Sequence, residues 1–353
     1  MSGLFGKIAA ATGLLDRLRA SWKQDLRAGI SPLRDDLARL TDRIESLQSQ
    51  IAALQEGVAH GERAERLARQ IRLTMRLNEK HINLLAELPS LLDAPAIVAH
   101  VRQAILNAPL NTDPYPHIVV EELLPPSFYR MLLKAIPPAE FFGDRDPIKQ
   151  NLRIPFDDGP ALTERVWAFM DAVVAREGIR PAVMERFREP LRERWDTLLG
   201  VEFRERAAAL PQAISGGRVM LRRPGYYLAP HRDPKRAMVT CLMYLASRHT
   251  HDTYGTEIYR VHNDRESPVT RTYYPEQDGA RCELVKVVPN RPNSILIFLN
   301  SHGAHGARIP ADAPAETERY AYQFYIGPEQ AALDVLIDDL PPDRAAMWRS
   351  KDS

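Results

Sequence analysis

The chain has 353 residues, 44% of them hydrophobic and 26% charged, with 47 Lys plus Arg against 46 Asp plus Glu. That length allows more than one domain and a substantial core. A formal net charge of +1 offers no bulk attraction for a polyanion, which argues against nucleic acid as a partner.

Cys241 and Cys282 are the two cysteines, far apart and in strand-like segments. That usage gives no disulfide framework and suits a reducing compartment. No run approaches the ~20 apolar residues of a membrane span, and Met1 to Ile8 lacks a secretory pattern. The expected location is the cytoplasm.

The first 30 residues carry a helical stripe of Leu4, Ile8, Leu15, Leu18 and Trp22 beside Lys7, Arg17, Arg19, Lys23 and Arg27. Over 1–27 this basic amphipathic pattern reads either as a helix lying on an anionic membrane surface or as the start of a helical bundle. From 31 to 60 the apolar positions Leu33, Leu37, Leu40, Ile44, Leu47, Ile51, Leu54 and Val58 alternate steps of four and three. That is a heptad seam with leucine at d and mostly β-branched residues at a, which favours a parallel two-stranded coil and hence a homodimer. Ser31 and Pro32 suit its N-terminus. The alternative is one helix of an antiparallel pair. Residues 61–112 are expected to form a helical linker region, with Pro89, Pro95, Pro109, Pro114 and Pro116 punctuating its end.

From 113 to 328 the texture becomes α+β. Pro116 to Pro125 reads as a β-run ending in a turn, followed by a helix from Ser127 to Ile136 and further helices around Ala161–Arg176 and Ala182–Ala209. After Gly217 short strands follow one another: Arg218–Arg222, Ala237–Leu245, Thr256–Val261, Cys282–Val288, Ser294–Leu299 and Tyr320–Ile326. Such runs between Gly, Pro, Asn and Asp clusters predict a barrel or a double-sheet jelly roll. Residues 329–353 read as a helix and a polar tail.

Two pieces of this region carry chemistry. In Pro230-His231-Arg232-Asp233 a histidine and a carboxylate two residues apart share one face of an extended chain. His305, 72 residues beyond Asp233 and following an apolar strand, can join them where Gly303 and Gly306 let the backbone turn. Two imidazoles and one carboxylate hold Fe(II) by one face and leave the other positions open. By itself a His-x-Asp tripeptide also arises as a loop whose two side chains simply bond each other. Its specificity comes from the order of strands, histidines and a later arginine around it.

That ordered set, Gly225-Tyr226-Tyr227-Leu228-Ala229-Pro230-His231-Arg232-Asp233, then Met243-Tyr244-Leu245, Tyr254 to Tyr259, Asn293 to Phe298, His305-Gly306 and Arg319-Tyr320, resembles the Fe(II)- and 2-oxoglutarate-dependent dioxygenase superfamily near its prolyl-hydroxylase-like branch. The likeness spans about Tyr115 to Gly327. It implies a double-stranded β-helix, also described as jelly-roll or cupin-like, with iron on His231, Asp233 and His305. It further implies 2-oxoglutarate as cosubstrate, dioxygen as co-reactant, and release of succinate and CO2 as an organic or protein substrate is hydroxylated. Arg319, 14 residues after His305, stands where the family grips the distal carboxylate of 2-oxoglutarate, a task suited to a guanidinium fork. Tyr227 and Tyr244 are expected to donate hydrogen bonds to the same molecule.

Other residues compete for these roles. His302 also precedes a glycine and competes with His305; Arg308 competes with Arg319, which has a surface ion pair with Glu316 or Glu318 as its plain alternative. His249, His251 and His262 lie in the long insertion Arg248 to Arg281, which is expected to form part of the substrate mouth. Two other functions fit the same sequence: a non-catalytic coiled-coil scaffold carrying a jelly-roll binding module, and a cupin-like metal enzyme without 2-oxoglutarate.

Overall fold

Alternation along four strands organises the molecule. In a strand successive side chains point to opposite faces, and here both faces are buried, for different purposes. The computed structural model describes residues 61, 63–143, 146–157, 159–245, 254–269 and 271–349. The chain divides into a unit Met1–Ala68 and a unit Arg69–Ser353. Of the first unit, residues 63–68 are helical; the basic stripe over 1–30 and the heptad seam over 31–60 lie outside the described residues.

The second unit mixes helices with two antiparallel sheets. Its strands are β1 (His117–Val120), β2 (Lys149–Arg153), β3 (Gln212–Arg222), β4 (Tyr227–His231), β5 (Val239–Leu245), β6 (Thr256–His262), β7 (Arg281–Val288), β8 (Ser294–Leu299), β9 (Ala304–Arg308) and β10 (Arg319–Pro328). The larger sheet runs β1-β8-β5-β10-β3-β2 and the smaller β4-β9-β6-β7. From β3 onward the chain crosses between the sheets at almost every connection, the winding of a jelly roll.

Val219 and Leu221 of β3, Cys241 and Met243 of β5, Ile295 and Ile297 of β8, and Tyr322 and Phe324 of β10 pack on one side in the main core. Helices Ala94–Asn107, Pro126–Lys134 and Ala161–Phe169 supply Val101, Phe128 and Trp167 to that core. The intervening residues, Met220, Leu242, Tyr244, Leu296, Phe298 and Ala321, form a second cluster that meets Ile258 of the smaller sheet. The inter-sheet space is therefore walled by the even positions of β3, β5 and β8 and the odd positions of β10.

The region expected as helical over 61–112 is largely helical among its described residues, and it also packs: Ile97, Val101 and Ile105, spaced by four on one helix face, are buried in the core. Pro89 lies inside the helix Ile82–Leu91, and Pro95 sits in the first turn of the next helix, where Asp93 caps the Ala96 amide. The C-terminal stretch also packs inward, with Trp348 buried and stacked on Trp195 at 6.5 Å. Among the described residues no single helix is long and apolar enough to cross a membrane.

Candidate metal centre

β4 and β9 are neighbours, and their register sets His231 directly across from His305. The two rings lie 4.1 Å apart between centroids. An irregularity in the pairing between Leu228 and His231, where Pro230 cannot donate to a ladder, turns the end of β4 toward the inter-sheet space. Asp233 follows two residues later. Its Oδ1 is 3.9 Å from His231 Nε2 and its Oδ2 3.8 Å from His305 Nε2. One ligand atom from each residue lies within 4.8 Å of the others, and all three residues are buried.

The donor set is prepared for a cation. His231 Nδ1 faces the Ala229 carbonyl at 2.9 Å; that nitrogen carries the proton, leaving the Nε2 lone pair for a metal. Burial lowers the proton affinity of His231, and it takes His305 down to about 3, with His231 adding to the effect. Both imidazoles are thus neutral at ordinary pH, the form that coordinates metal.

Surrounding groups fix these ligands. Thr240 donates from Oγ1 to Asp233 Oδ2 at 2.7 Å, and Asn300 Nδ2 donates to Thr240 Oγ1 at 2.9 Å. Arg232, between the two ligands in sequence, points away from them and is 2% exposed. It donates to the Gly303 carbonyl at 2.9 and 3.1 Å and to Asp264. Asp264 also accepts from the Gly303 amide at 3.1 Å. Gly303, with φ +69° and an added Cβ only 2.6 Å from the Tyr259 carbonyl, makes the turn that leads into His305. The ligand-bearing ends of β4 and β9 are therefore tied by one arginine.

The site opens into a cavity of about 190 Å³ lined by all three ligands and by Lys149, Arg218, Arg222 and Arg319. Arg319 is 3% exposed. Its Nη2 lies 3.3 Å from Thr256 Oγ1 and its guanidinium carbon 5.6 Å from the Tyr244 ring centre, while its buried Nε–H has no partner. No carboxylate pairs with it among the described residues. The surface ion pair considered for it is absent: Glu318 bonds Arg223 at 2.7 Å instead.

Other expected residues fall as follows. Tyr244 is buried beside Arg319 and donates to Thr256 Oγ1 at 2.7 Å; burial raises its phenol. Tyr227 is a correction: it is 62% exposed, and its neighbour Tyr226 lines the cavity instead. His302 is exposed in the turn before β9 and takes no part in the ligand group. Arg308 is exposed and pairs with Glu257 at 2.5 Å. His262 bonds Glu283 at 2.7 Å, and His249 and His251 lie outside the described residues. Of the long insertion, Thr272 and Tyr274 reach the cavity, with the Tyr274 ring 5.7 Å from that of His231.

No family profile and no curated protein sequence matches the chain. Its fold is similar to that of solved structures at low identity. One is a prolyl-4-hydroxylase from Pseudomonas putida, 16% identical, with 66% of this chain and 100% of that one covered at a TM-score of 0.35. A second, a prolyl 4-hydroxylase from Phytophthora capsici, is 13% identical over 73% of this chain and 77% of that one, TM-score 0.39. A third, HygX from Streptomyces hygroscopicus solved with nickel and 2-oxoglutarate bound, is 14% identical over 61% and 83%, TM-score 0.35.

Proposed function

We propose that this protein is an Fe(II)- and 2-oxoglutarate-dependent oxygenase that hydroxylates an organic or protein substrate. The observation that carries the proposal is Arg319, a buried cation with no carboxylate partner, facing the same cavity as His231, Asp233 and His305. A buried charge without a counter-ion is costly. It is accounted for if an anion belongs there, and the distal carboxylate of 2-oxoglutarate has the charge and the shape to fit a guanidinium fork.

The ligand set fits the metal as well. Two neutral imidazoles and one carboxylate are a donor set suited to ferrous iron, and they leave positions free for further ligands. Iron and 2-oxoglutarate held there would supply oxidative decarboxylation, in which dioxygen is consumed, succinate and CO2 are released and one oxygen atom enters the substrate.

The protein's own part is positional. His231 and His305 present Nε2 atoms fixed by strand register, and Thr240 orients Asp233. Arg319 and Thr256 receive the far end of the cosubstrate, and Tyr244 walls it on one side. Met220, Leu228 and Leu242, together with the buried aromatic cluster, limit water around the reacting atoms.

The test is succinate formation from 2-oxoglutarate by Fe(II)-loaded protein exposed to oxygen, beside an Asp233→Ala control, with cosubstrate binding measured anaerobically. Turnover that disappears in the variant supports the oxygenase. A metal-loaded protein that does not bind 2-oxoglutarate sinks it and leaves the scaffold and the cupin-like metal enzyme in its place.

A further inference from the structure

The cavity holds more positive charge than the cosubstrate can neutralise. Its lining carries four cationic side chains, Lys149, Arg218, Arg222 and Arg319, against one carboxylate, Asp233. A divalent metal ion adds two positive charges and doubly charged 2-oxoglutarate removes two, so the excess of three persists in the loaded site. Among the described residues none of the three arginines has a carboxylate partner. Arg222 is buried and turned toward β2, donating to the Gln150 carbonyl at 2.6 Å and Asn151 Oδ1 at 2.8 Å. Arg319 is taken by the cosubstrate on the reading above.

Arg218 differs from both. It lies further along the β3–β10 pairing, near its middle: Arg319 is opposite Arg222, whereas Arg218 is opposite Gln323, beside an irregularity in the register. Its Nη2 donates to Gln323 Oε1 at 2.6 Å and to Tyr325 Oη at 3.1 Å. Tyr325 Oη in turn donates to Asp233 Oδ1 at 3.4 Å. Arg218 is thus at the level of the metal ligands, two hydrogen bonds from one of them. It is half-buried; Lys149, paired with Arg222 on the edge strand β2, is exposed on the same cavity. A partly open arginine at the level of the metal ligands, in a cavity that also carries an exposed lysine, suits an anionic group that arrives from solvent.

We infer that the substrate oxidised at this site carries an oxyanion, a carboxylate or a phosphate, that Arg218 binds it beside the metal, and that Lys149 adds its charge to the same cavity. The inference rests on the oxygenase reading, since it assigns Arg319 to 2-oxoglutarate. It makes Arg218 and Lys149 determinants of substrate specificity and selects acidic metabolites or acidic side chains over neutral sugars and uncharged peptides.

Full-length protein loaded anaerobically with Mn(II) and saturating 2-oxoglutarate provides the test. Acetate, inorganic phosphate and neutral acetamide are titrated into it at low ionic strength. Acetate or phosphate is expected to bind at least about tenfold tighter than acetamide. Arg218→Gln combined with Lys149→Gln should reduce that anion affinity by about tenfold or more, and Arg218→Lys, which keeps the charge and guards against misfolding, should recover part of it. Arg319→Gln should instead act chiefly on 2-oxoglutarate affinity. Equal binding of anions and acetamide, or equal anion binding by wild type and the double variant, overturns the inference while cosubstrate binding stands. Absence of 2-oxoglutarate binding in the wild type removes the oxygenase reading and this inference together.

Discussion

Thr240 holds Asp233 in place: its hydroxyl donates to Oδ2 at 2.7 Å, and the Asn300 amide donates to that same hydroxyl at 2.9 Å. Neither residue is a metal ligand, yet together they fix the rotamer of the only carboxylate in the ligand group. Partners of this kind are worth roughly 10- to 100-fold in metal affinity. Thr240→Val keeps the shape and removes the donor, and it should weaken Fe(II) or Mn(II) binding by about that factor with little change in the fold. Anaerobic metal titration reads the effect directly, and an unchanged dissociation constant would show that Asp233 needs no support.

On the proposed function, Arg319 sets 2-oxoglutarate affinity against stability. Arg319→Met should weaken 2-oxoglutarate binding by about 10- to 100-fold, the worth of a charge-assisted pair. In the ligand-free protein the same change removes a buried, uncompensated charge and should raise the unfolding midpoint in urea. A variant that loses both stability and binding would assign Arg319 a structural role.

Acid should destabilise the metal-free protein through its site histidines. Unfolded, His305 takes up a proton near pH 6.5; folded, it resists until about pH 3. Between those values the unfolded state binds the extra proton, so stability falls as pH drops through that window. His305→Gln removes this contribution. From pH 7 to pH 5 the wild type should lose about 2 kcal/mol more than the variant, measured by urea unfolding at each pH. Parallel losses in the two proteins would contradict a buried neutral His305.

The Arg232–Asp264 pair can be broken without touching a ligand. Asp264→Ala strands a 2%-exposed guanidinium and frees the Gly303 amide, and loss of one partner of a buried pair costs about 3–5 kcal/mol. Besides the stability loss, metal affinity should drop, because the turn before His305 loses its anchor. Normal metal affinity in a destabilised variant would confine the clamp to folding.

Much of the β-region is legible in the sequence because β5 and β8 are continuous apolar runs buried on both faces, and such runs stand out in any window. The His-x-Asp spacing is local and equally visible. What is not visible depends on distance or on irregularity. β4 and β9 are short and interrupted by Pro230 and Gly306, so neither reads as a strand. β2 is Lys-Gln-Asn-Leu-Arg, polar enough to pass for a loop. Thr240, Asn300 and Asp264 are ordinary polar residues that only the fold brings to the ligands. Tyr226 and Tyr227 are adjacent and identical in chemistry, and the bend after Gly225 alone decides which one faces inward. The anion-binding side of the cavity is hidden for a similar reason: Arg218 and Arg222 look like exposed residues of an alternating strand until the second sheet closes over them.

β4 is an edge strand, only five residues long, and within its sheet it pairs with β9 alone. The chain therefore hangs two of its three ligands on or just beyond one of its least anchored strands, and the third on the neighbour that holds it. A metal ion across His231, Asp233 and His305 acts as a rivet through that seam. Metal binding would then govern the mechanical integrity of this rim, and in metal-free protein amide exchange should quicken first along β4 while β5 and β8 stay shut.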